Sequence, residues 1–172
     1  MFSVALTIFR TYFSVCTFRR GPQDMPAAAV FLVLSLLLYG FASIALVLPV
    51  RAAGMAVVAG AAETGLLLLI TWGLLRLRGL PARFRQTGAA LTGTGFLFSL
   101  AALPLFYLRY TYGSDMAALL ALALIVWNVA VMAHILRHAM SASFAMGVLL
   151  AMGYIWIITT IMALITPEYA AS

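Results

Sequence analysis

Residues 26–48 read PAAAVFLVLSLLLYGFASIALVL, a long apolar run without a charged side chain. A helix that crosses the hydrocarbon core of a membrane needs about 20 consecutive, largely apolar residues. In lipid such a segment is helical, because a helix satisfies its own backbone hydrogen bonds. The run therefore predicts a transmembrane helix over residues 26–48, ended by Pro49.

Four more stretches of the chain have a similar length and character. Of the 172 residues, 66% are apolar and 8% are charged, and the mean hydropathy is +1.14. A soluble domain has roughly 45–50% apolar and about 25% charged residues. The composition therefore predicts an integral membrane protein, an all-α bundle of five transmembrane helices in a single domain. The other predicted spans are 52–75, 87–108, 116–136 and 143–166.

The basic residues indicate the orientation of the chain. All ten are arginines at or near span ends, and eight lie on the N-terminal side, against Arg51 and Arg109 on the other. Because excess arginine marks the cytoplasmic side, we predict a bacterial inner membrane protein with a cytoplasmic N-terminus and a periplasmic C-terminus. The formal charge of +6 follows from this topology. Since the arginines do not cluster on one face, we expect no nucleic-acid binding.

Residues 1–20 form a separate segment, whose apolar part at residues 1–18 is too short to span a membrane and is interrupted by Arg10. Polar and apolar side chains recur there at helical spacing on separate faces. The pattern predicts an amphipathic helix that lies in the cytoplasmic interface, or one that packs against the bundle or a partner helix. The polar stripe is Ser3, Thr7, Arg10, Ser14 and Thr17, and the apolar face includes Phe2, Leu6, Phe9, Phe13 and Cys16.

The connection to the first span, TFRRGPQDMPAAA at residues 17–29, contains two arginines, two prolines, a glycine and an aspartate. We interpret residues 21–25 as a hinge before a bundle of residues 26–172, because glycine and proline break helices. Asp24 is predicted to be the N-cap of the first span. The alternative is a cytoplasmic docking site for a partner or for lipid head groups. That site would comprise Arg19, Arg20, Asp24, Arg76, Arg78, Arg83 and Arg85.

Small residues recur at every fourth position within three of the spans. Such ladders let helix backbones approach closely in lipid, where no hydrophobic effect drives helices together. They predict tight packing, either within the bundle or against another subunit. The ladders are Ala52, Ala56, Gly60 and Thr64 in the second span, Gly88 and Thr92 in the third, and Ser143, Gly147 and Ala151 in the fifth.

Glu63 is the only acidic residue inside a predicted span, near the middle of the second. An ionised carboxylate is costly at that depth, so we expect it to be protonated, paired or facing a polar cavity. Side chains from other spans are expected to converge on it. The cluster is either a proton or ligand site, or a set of interhelical hydrogen bonds worth about 1 kcal/mol each. Its predicted members are Tyr39, Glu63, Trp127, Asn128 and Tyr154.

His134 and His138 lie four residues apart and share one helical face, as metal-binding pairs do. No third ligand is close in sequence, and the single cysteine excludes a thiolate cluster and an intrachain disulfide. We therefore expect no cofactor, and a metal site remains the alternative to placement at the membrane interface. The serines show no nucleophile elbow, and no strand precedes LTGTGF at residues 91–96. No catalytic motif indicates an enzyme.

The layout of the chain resembles that of the Yip family, the Ypt/Rab-interacting proteins, in its bacterial branch. The likeness is carried by the amphipathic N-terminal segment, by FRRGPQDMPAA at residues 18–28 and by the five spans. Gly21, Pro22 and Asp24 resemble the aspartate- and glycine–proline-containing stretch before the family's first span, in a changed order. The resemblance implies a five-span fold and an interaction protein, since eukaryotic members bind small GTPases and one another in membrane traffic.

These patterns together predict a non-enzymatic membrane scaffold or accessory subunit that contacts lipids and packs against other membrane proteins. The alternative is a small transporter or proton-linked permease centred on Glu63. A third possibility is a lipid-modifying enzyme whose cytoplasmic arginines hold phosphate head groups. A scaffold should expose a face of small residues, whereas a transporter should have a water-accessible pocket that reaches Glu63.

Overall fold

The computed structural model describes residues 2–49 and 52–165, and within these residues the chain is helical without strands. The five-span prediction is confirmed, since five helices are long and apolar enough to cross a membrane. Two residues used in the predictions lie outside the described residues. They are Arg51, which was counted for the orientation, and residue 166, the predicted end of the fifth span. The helices are α1 (Phe2–Cys16), α2 (Ala29–Val47), α3 (Ala53–Leu77), α4 (Phe84–Tyr112), α5 (Asp115–Ala139) and α6 (Phe144–Ile165).

The first span begins later than predicted. α2 starts at Ala29, so the prediction that Asp24 caps this helix is wrong. Asp24 instead ends a 3-10 turn, Pro22–Asp24, where its Oδ2 accepts a hydrogen bond from the backbone N–H of Gly21 at 2.8 Å. Pro26 ends the turn, because the residue before a proline avoids the helical region. That residue is extended, with φ −78° and ψ 143°.

α4 is the central helix of the bundle and contacts α1, α2, α3, α5 and the hinge turn. Residues 87–94, TGAALTGT, are all buried, so this part of α4 is surrounded on every side. The threonine hydroxyls are satisfied within the helix. Thr92 Oγ1 donates to the Gly88 carbonyl at 2.8 Å, and Thr94 Oγ1 donates to the Ala90 carbonyl at 2.8 Å. Leu91 is the only large side chain of this segment. The neighbouring helices therefore approach a surface made mainly of small side chains, whose hydroxyls need no hydrogen bonds from other helices.

The central members of the small-residue ladders pack within the bundle. Gly60 of α3 lies so close to α2 that a Cβ there would come within 2.7 Å of Ile44 Cγ1. Gly147 of α6 lies against the backbone of α5, where a Cβ would overlap the carbonyl oxygen of Ala133. These contacts join helices of one chain, and the ladders are therefore largely used inside the molecule.

α1 packs against α4 and α5. Tyr12, Val15 and Cys16 are between 0% and 5% exposed. The Tyr12 ring fills the space that the absent side chain of Gly93 leaves in α4, and its hydroxyl is hydrogen-bonded to the Ser35 hydroxyl of α2. Of the predicted alternatives for this amphipathic helix, the structure thus shows packing against the bundle. A position in the membrane interface stays a prediction.

The α1–α2, α3–α4 and α5–α6 connections meet at one end of the bundle. Arg83 of the α3–α4 connection hydrogen-bonds Ser141 of the α5–α6 connection, and Gln86 bonds the backbone of Met25 in the α1–α2 connection. We call this end the arginine-rich end. It carries Arg19, Arg20, Arg76, Arg78, Arg83, Arg85 and Arg137.

Candidate functional site

A carboxyl group lies near the middle of the bundle. Glu63 is close to the centre of α3, and Tyr39 is close to the centre of α2. The Tyr39 hydroxyl donates a hydrogen bond to Glu63 Oε1 at 2.9 Å. Tyr39 is 9% exposed, whereas Glu63 is only half-buried. The buried Ser43, one turn further along α2, faces the same phenol oxygen. One oxygen of the Glu63 carboxyl therefore has a fixed donor from a neighbouring helix.

A second phenol lies near this pair. Tyr154, close to the centre of α6, is 4% exposed, and its hydroxyl has no hydrogen-bond partner among the described residues. The hydroxyl is within electrostatic range of both Tyr39 and Glu63. A buried hydroxyl without a partner costs roughly 1–3 kcal/mol. We call these residues, Tyr39, Glu63 and Tyr154, the Glu63 cluster.

Two other members of the sequence-predicted cluster lie elsewhere. Trp127 and Asn128 belong to α5, which packs mainly on α4 and α6. The indole Nε1 of Trp127 donates to the carbonyl of Cys16 at 3.0 Å, and its ring meets Phe98 edge-on at 5.7 Å. Asn128 is half-buried and makes no hydrogen bond with Glu63 in the part of the chain that is described. The Glu63 cluster thus draws on α2, α3 and α6 alone.

A groove of about 370 Å³ runs between α2 and α3 on the outside of the bundle. Gly54, Ala61 and Gly65 are exposed on α3 and recur at intervals of seven and four, which keeps them on one helical face. Of these, Ala61 and Gly65 line the groove. Thr64 lines it as well, and its buried Oγ1 has no partner within the described residues. We call this feature the α2–α3 groove. Its walls include Leu37, Gly40, Phe41, Val57, Ala61 and Gly65.

The predicted cytoplasmic docking residues have separate surroundings. Arg83 Nη1 donates to the Ala139 carbonyl at 2.8 Å and to the Ser141 hydroxyl at 2.9 Å. Arg83 thereby caps the C-terminus of α5, where a cation is favourable. Arg76 lies over the ring of Trp72, 5.1 Å from its centroid. The exposed residues of the predicted set are Arg19, Arg20, Asp24, Arg76, Arg78 and Arg85.

His134 fixes the segment that follows α1. It is 4% exposed, its Nε2 lies 3.0 Å from the Arg20 carbonyl oxygen, and its Nδ1 lies 3.4 Å from Nη2 of Arg137. A guanidinium can only donate hydrogen bonds, so Nδ1 must accept one. Nε2 then carries the hydrogen that it donates to the carbonyl, and one neutral tautomer satisfies both contacts. Both ring nitrogens of His134 are thus engaged within the protein.

The predicted metal pair is close in space. The rings of His134 and His138 meet edge-on, with centroids 4.6 Å apart. Within the described ranges, no group of three or more histidine, cysteine or acidic side chains is placed to hold a metal ion. Metal binding by His134 would require it to give up a hydrogen bond to Arg20 or Arg137.

Tyr12 and Gln86 position α1 and the hinge, and the sequence analysis did not identify them. The role of Tyr12 could have been predicted, because Tyr12 lies on the same helical face as the apolar Ile8 and Val15. A buried tyrosine hydroxyl also usually has a hydrogen-bond partner. Gln86 Nε2 donates to the Met25 carbonyl at 2.9 Å. Its position near a span end gave no indication of this contact.

Comparison of the chain with protein-family models, with curated proteins and with solved structures gave no match.

Proposed function

We propose that the protein is a non-enzymatic membrane scaffold or accessory subunit that binds a transmembrane helix of another membrane protein in the α2–α3 groove. The exposed face formed by Ala61 and Gly65, which line the groove, carries this proposal. Helices associate in lipid where small residues let their backbones approach closely. Gly60 and Gly147 already serve contacts inside the chain, so this exposed face is where a second chain has room.

The shape and chemistry of the α2–α3 groove fit an apolar helix. The groove lies between two neighbouring helices, with Gly40 on one wall and Ala61 and Gly65 on the other. Its lining residues carry no charge. A helix lying along it would bury apolar surface without leaving a charge in the interface. The arginine distribution supports placing the arginine-rich end in the cytoplasm of a bacterium, and the resemblance to the Yip family supports an interaction role.

Substitution of Ala61 by leucine is expected to remove the bound partner. A side chain of that size fills the groove, and we expect at least tenfold less partner to co-purify, because about 1.4 kcal/mol of lost binding is a tenfold effect. The measurement is the stoichiometry of bound chains after purification in mild detergent, determined by mass spectrometry.

Ala145→Leu is the matched control, since Ala145 is an exposed alanine on α6, away from the groove. It should leave the stoichiometry unchanged, and both variants should keep the unfolding midpoint of the wild type. A partner that stays bound at full stoichiometry to the Ala61→Leu variant would show that the groove is not the binding surface.

We propose a proton-linked permease as a second candidate function, favoured by the hydrogen bond of 2.9 Å between Tyr39 and Glu63. Ionisable residues near the middle of a membrane commonly mark proton or ion pathways. Protonation of Glu63 would remove the negative charge of its carboxylate and add an O–H hydrogen-bond donor. The hydroxyls of Tyr39 and Tyr154 could change their hydrogen bonds to suit either form. The unpartnered Tyr154 hydroxyl supplies the group that changes partner.

This second function predicts that liposomes containing the protein conduct protons and that Glu63→Gln abolishes the conduction. Glutamine keeps the shape of the side chain and can still accept from Tyr39, but it does not titrate. Flux is measured with an internal pH-sensitive dye after a pH step, and Glu63→Asp, which retains a titrating group, should keep part of it. Equal flux through wild-type, Glu63→Gln and empty liposomes would leave the carboxyl with a structural role only.

A further inference from the structure

An apolar pocket of about 380 Å³ lies between α1, α4 and α5, apart from the α2–α3 groove. Its volume falls within the roughly 300–1,000 Å³ typical of small-molecule sites. The indole N–H of Trp127 donates its hydrogen bond to the Cys16 carbonyl, so the ring presents only apolar surface to the pocket. We call this feature the α1 pocket. Its walls include Phe9, Phe13, Leu97, Ala101, Leu124 and Trp127.

α1 presents three chemically different faces around this pocket. Tyr12 is buried against the bundle, while Phe9 and Phe13 are 50% and 51% exposed and stack with their centroids 6.4 Å apart. Arg10 is exposed and is the only charged residue of α1. Successive helical residues are about 100° apart, so Arg10 projects roughly a quarter turn from Phe9, on the side away from Tyr12. A positive charge therefore lies beside the open edge of an apolar pocket.

We propose that the α1 pocket holds one acyl chain of an anionic phospholipid whose phosphate is bound by Arg10. The walls supply apolar contact for the chain, and the guanidinium supplies the complementary charge and hydrogen-bond donors for the phosphate. Leu100 and Ala101 are exposed at the rim, on a helix that is long enough to cross a membrane. The pocket thus opens towards the lipid rather than towards water.

The charge of Arg10 distinguishes an anionic lipid from an apolar protein helix as the occupant. α1 contacts both α4 and α5, and its residues Phe9, Phe13 and Cys16 form one wall of the pocket. An apolar helix in the pocket would offer the guanidinium of Arg10 no anionic partner, whereas a lipid can place its acyl chain in the pocket and its phosphate at Arg10. This binding site goes beyond the proposed scaffold function and does not depend on it.

The test uses Trp127 as a reporter of the acyl chain. The chain has three tryptophans, and Trp72→Phe with Trp156→Phe leaves only the one in the α1 pocket. The protein is placed in phosphatidylcholine nanodiscs that contain increasing fractions of brominated phosphatidylglycerol or of brominated phosphatidylcholine. Half-maximal quenching is expected at about a fivefold lower fraction of the anionic lipid. An arginine near the membrane surface, the position predicted for α1, contributes about 1 kcal/mol.

Two variants separate the head group from the chain. Arg10→Gln should abolish the fivefold preference, and Ala101→Phe should lower the maximal quenching by both lipids by filling the pocket. Ala145→Phe, at an exposed alanine of α6, should change neither. Equal quenching by the two lipids in the protein that retains Arg10 would overturn the proposal. A preference for the anionic lipid that persists in the Arg10→Gln variant would also overturn it. A change in oligomeric state caused by Ala101→Phe, with quenching unaltered, would identify the pocket as an interface between copies and also overturn it.

Discussion

Replacement of Gly147 by alanine is expected to lower the free energy of unfolding by roughly 1–3 kcal/mol, the usual cost of overpacking. The added Cβ would overlap the carbonyl oxygen of Ala133 and lie 3.0 Å from Cβ of Arg137. A backbone oxygen cannot rotate away as the end of a flexible side chain can, so α5 and α6 must move apart. The loss is measured by reversible unfolding in mixed micelles, followed by circular dichroism.

Gly153 provides the matched control for this prediction because it lies on the same helix as Gly147. A Cβ at Gly153 meets nothing within 4 Å. Gly153→Ala should leave the stability unchanged or raise it by up to about 1 kcal/mol, because alanine is the better helix former. If the two alanine variants had the same stability, close contact between α5 and α6 would not be what requires glycine at residue 147.

The second large effect is expected at Gly93, where alanine should detach α1 from the bundle. A Cβ there would overlap the Tyr12 ring, whose hydroxyl is held by Ser35. A cost of about 1–3 kcal/mol raises the fraction of molecules with α1 detached by roughly 5- to 150-fold. Cys16 reports the change, since it is 4% exposed in the packed state. Burial raises the pKa of its thiol to about 12, so the packed protein has almost no reactive thiolate at neutral pH.

The measurement is the rate of maleimide labelling of Cys16 in mild detergent at constant pH. Gly93→Ala should label at least fivefold faster than the wild type, whereas Gly73→Ala should not, because nothing lies within 4 Å of a Cβ at Gly73. Adding Tyr12→Leu to Gly93→Ala removes the clashing ring and should slow the labelling again. Labelling of Gly93→Ala at the wild-type rate would show that the packing of α1 does not depend on this contact.

The sequence predicted the number of spans because length and hydropathy alone decide whether a helix can cross a membrane. Local competition explains the error at Asp24. Its carboxylate accepts from the N–H of Gly21 within the 3-10 turn, and Pro26 delays the start of α2. Asparagine and aspartate at turns can satisfy nearby backbone donors in this way as readily as they cap a helix. Sequence spacing did not distinguish the two arrangements.

The predicted intramembrane cluster illustrates a different limit. The sequence indicated how deep in the membrane each side chain lies. Its indication was that four of them lie near the middle of their spans, namely Tyr39, Glu63, Trp127 and Tyr154. The direction in which a side chain points around the helix axis depends on which helices are neighbours. Tyr39 points from α2 towards Glu63, but Trp127 points from α5 towards α1. For the same reason, the sequence did not show whether the small-residue ladder at Gly60 packs within the bundle or against another subunit. Its contact with Ile44 depends on tertiary packing.

The position of α1 on α4 has a consequence for biosynthesis. Gly93 comes 81 positions after Tyr12 in the chain, and Trp127 comes later still. At about 5–20 residues per second, the ribosome needs roughly 4–16 s to reach the glycine on which the Tyr12 ring rests. Until then the surfaces of α4 and α5 on which α1 packs do not exist, and the membrane surface can shelter the phenylalanines of α1. α1 is thus made before α4 and α5 but reaches its final place only after them, and the turn at Pro22–Asp24 must allow that late docking.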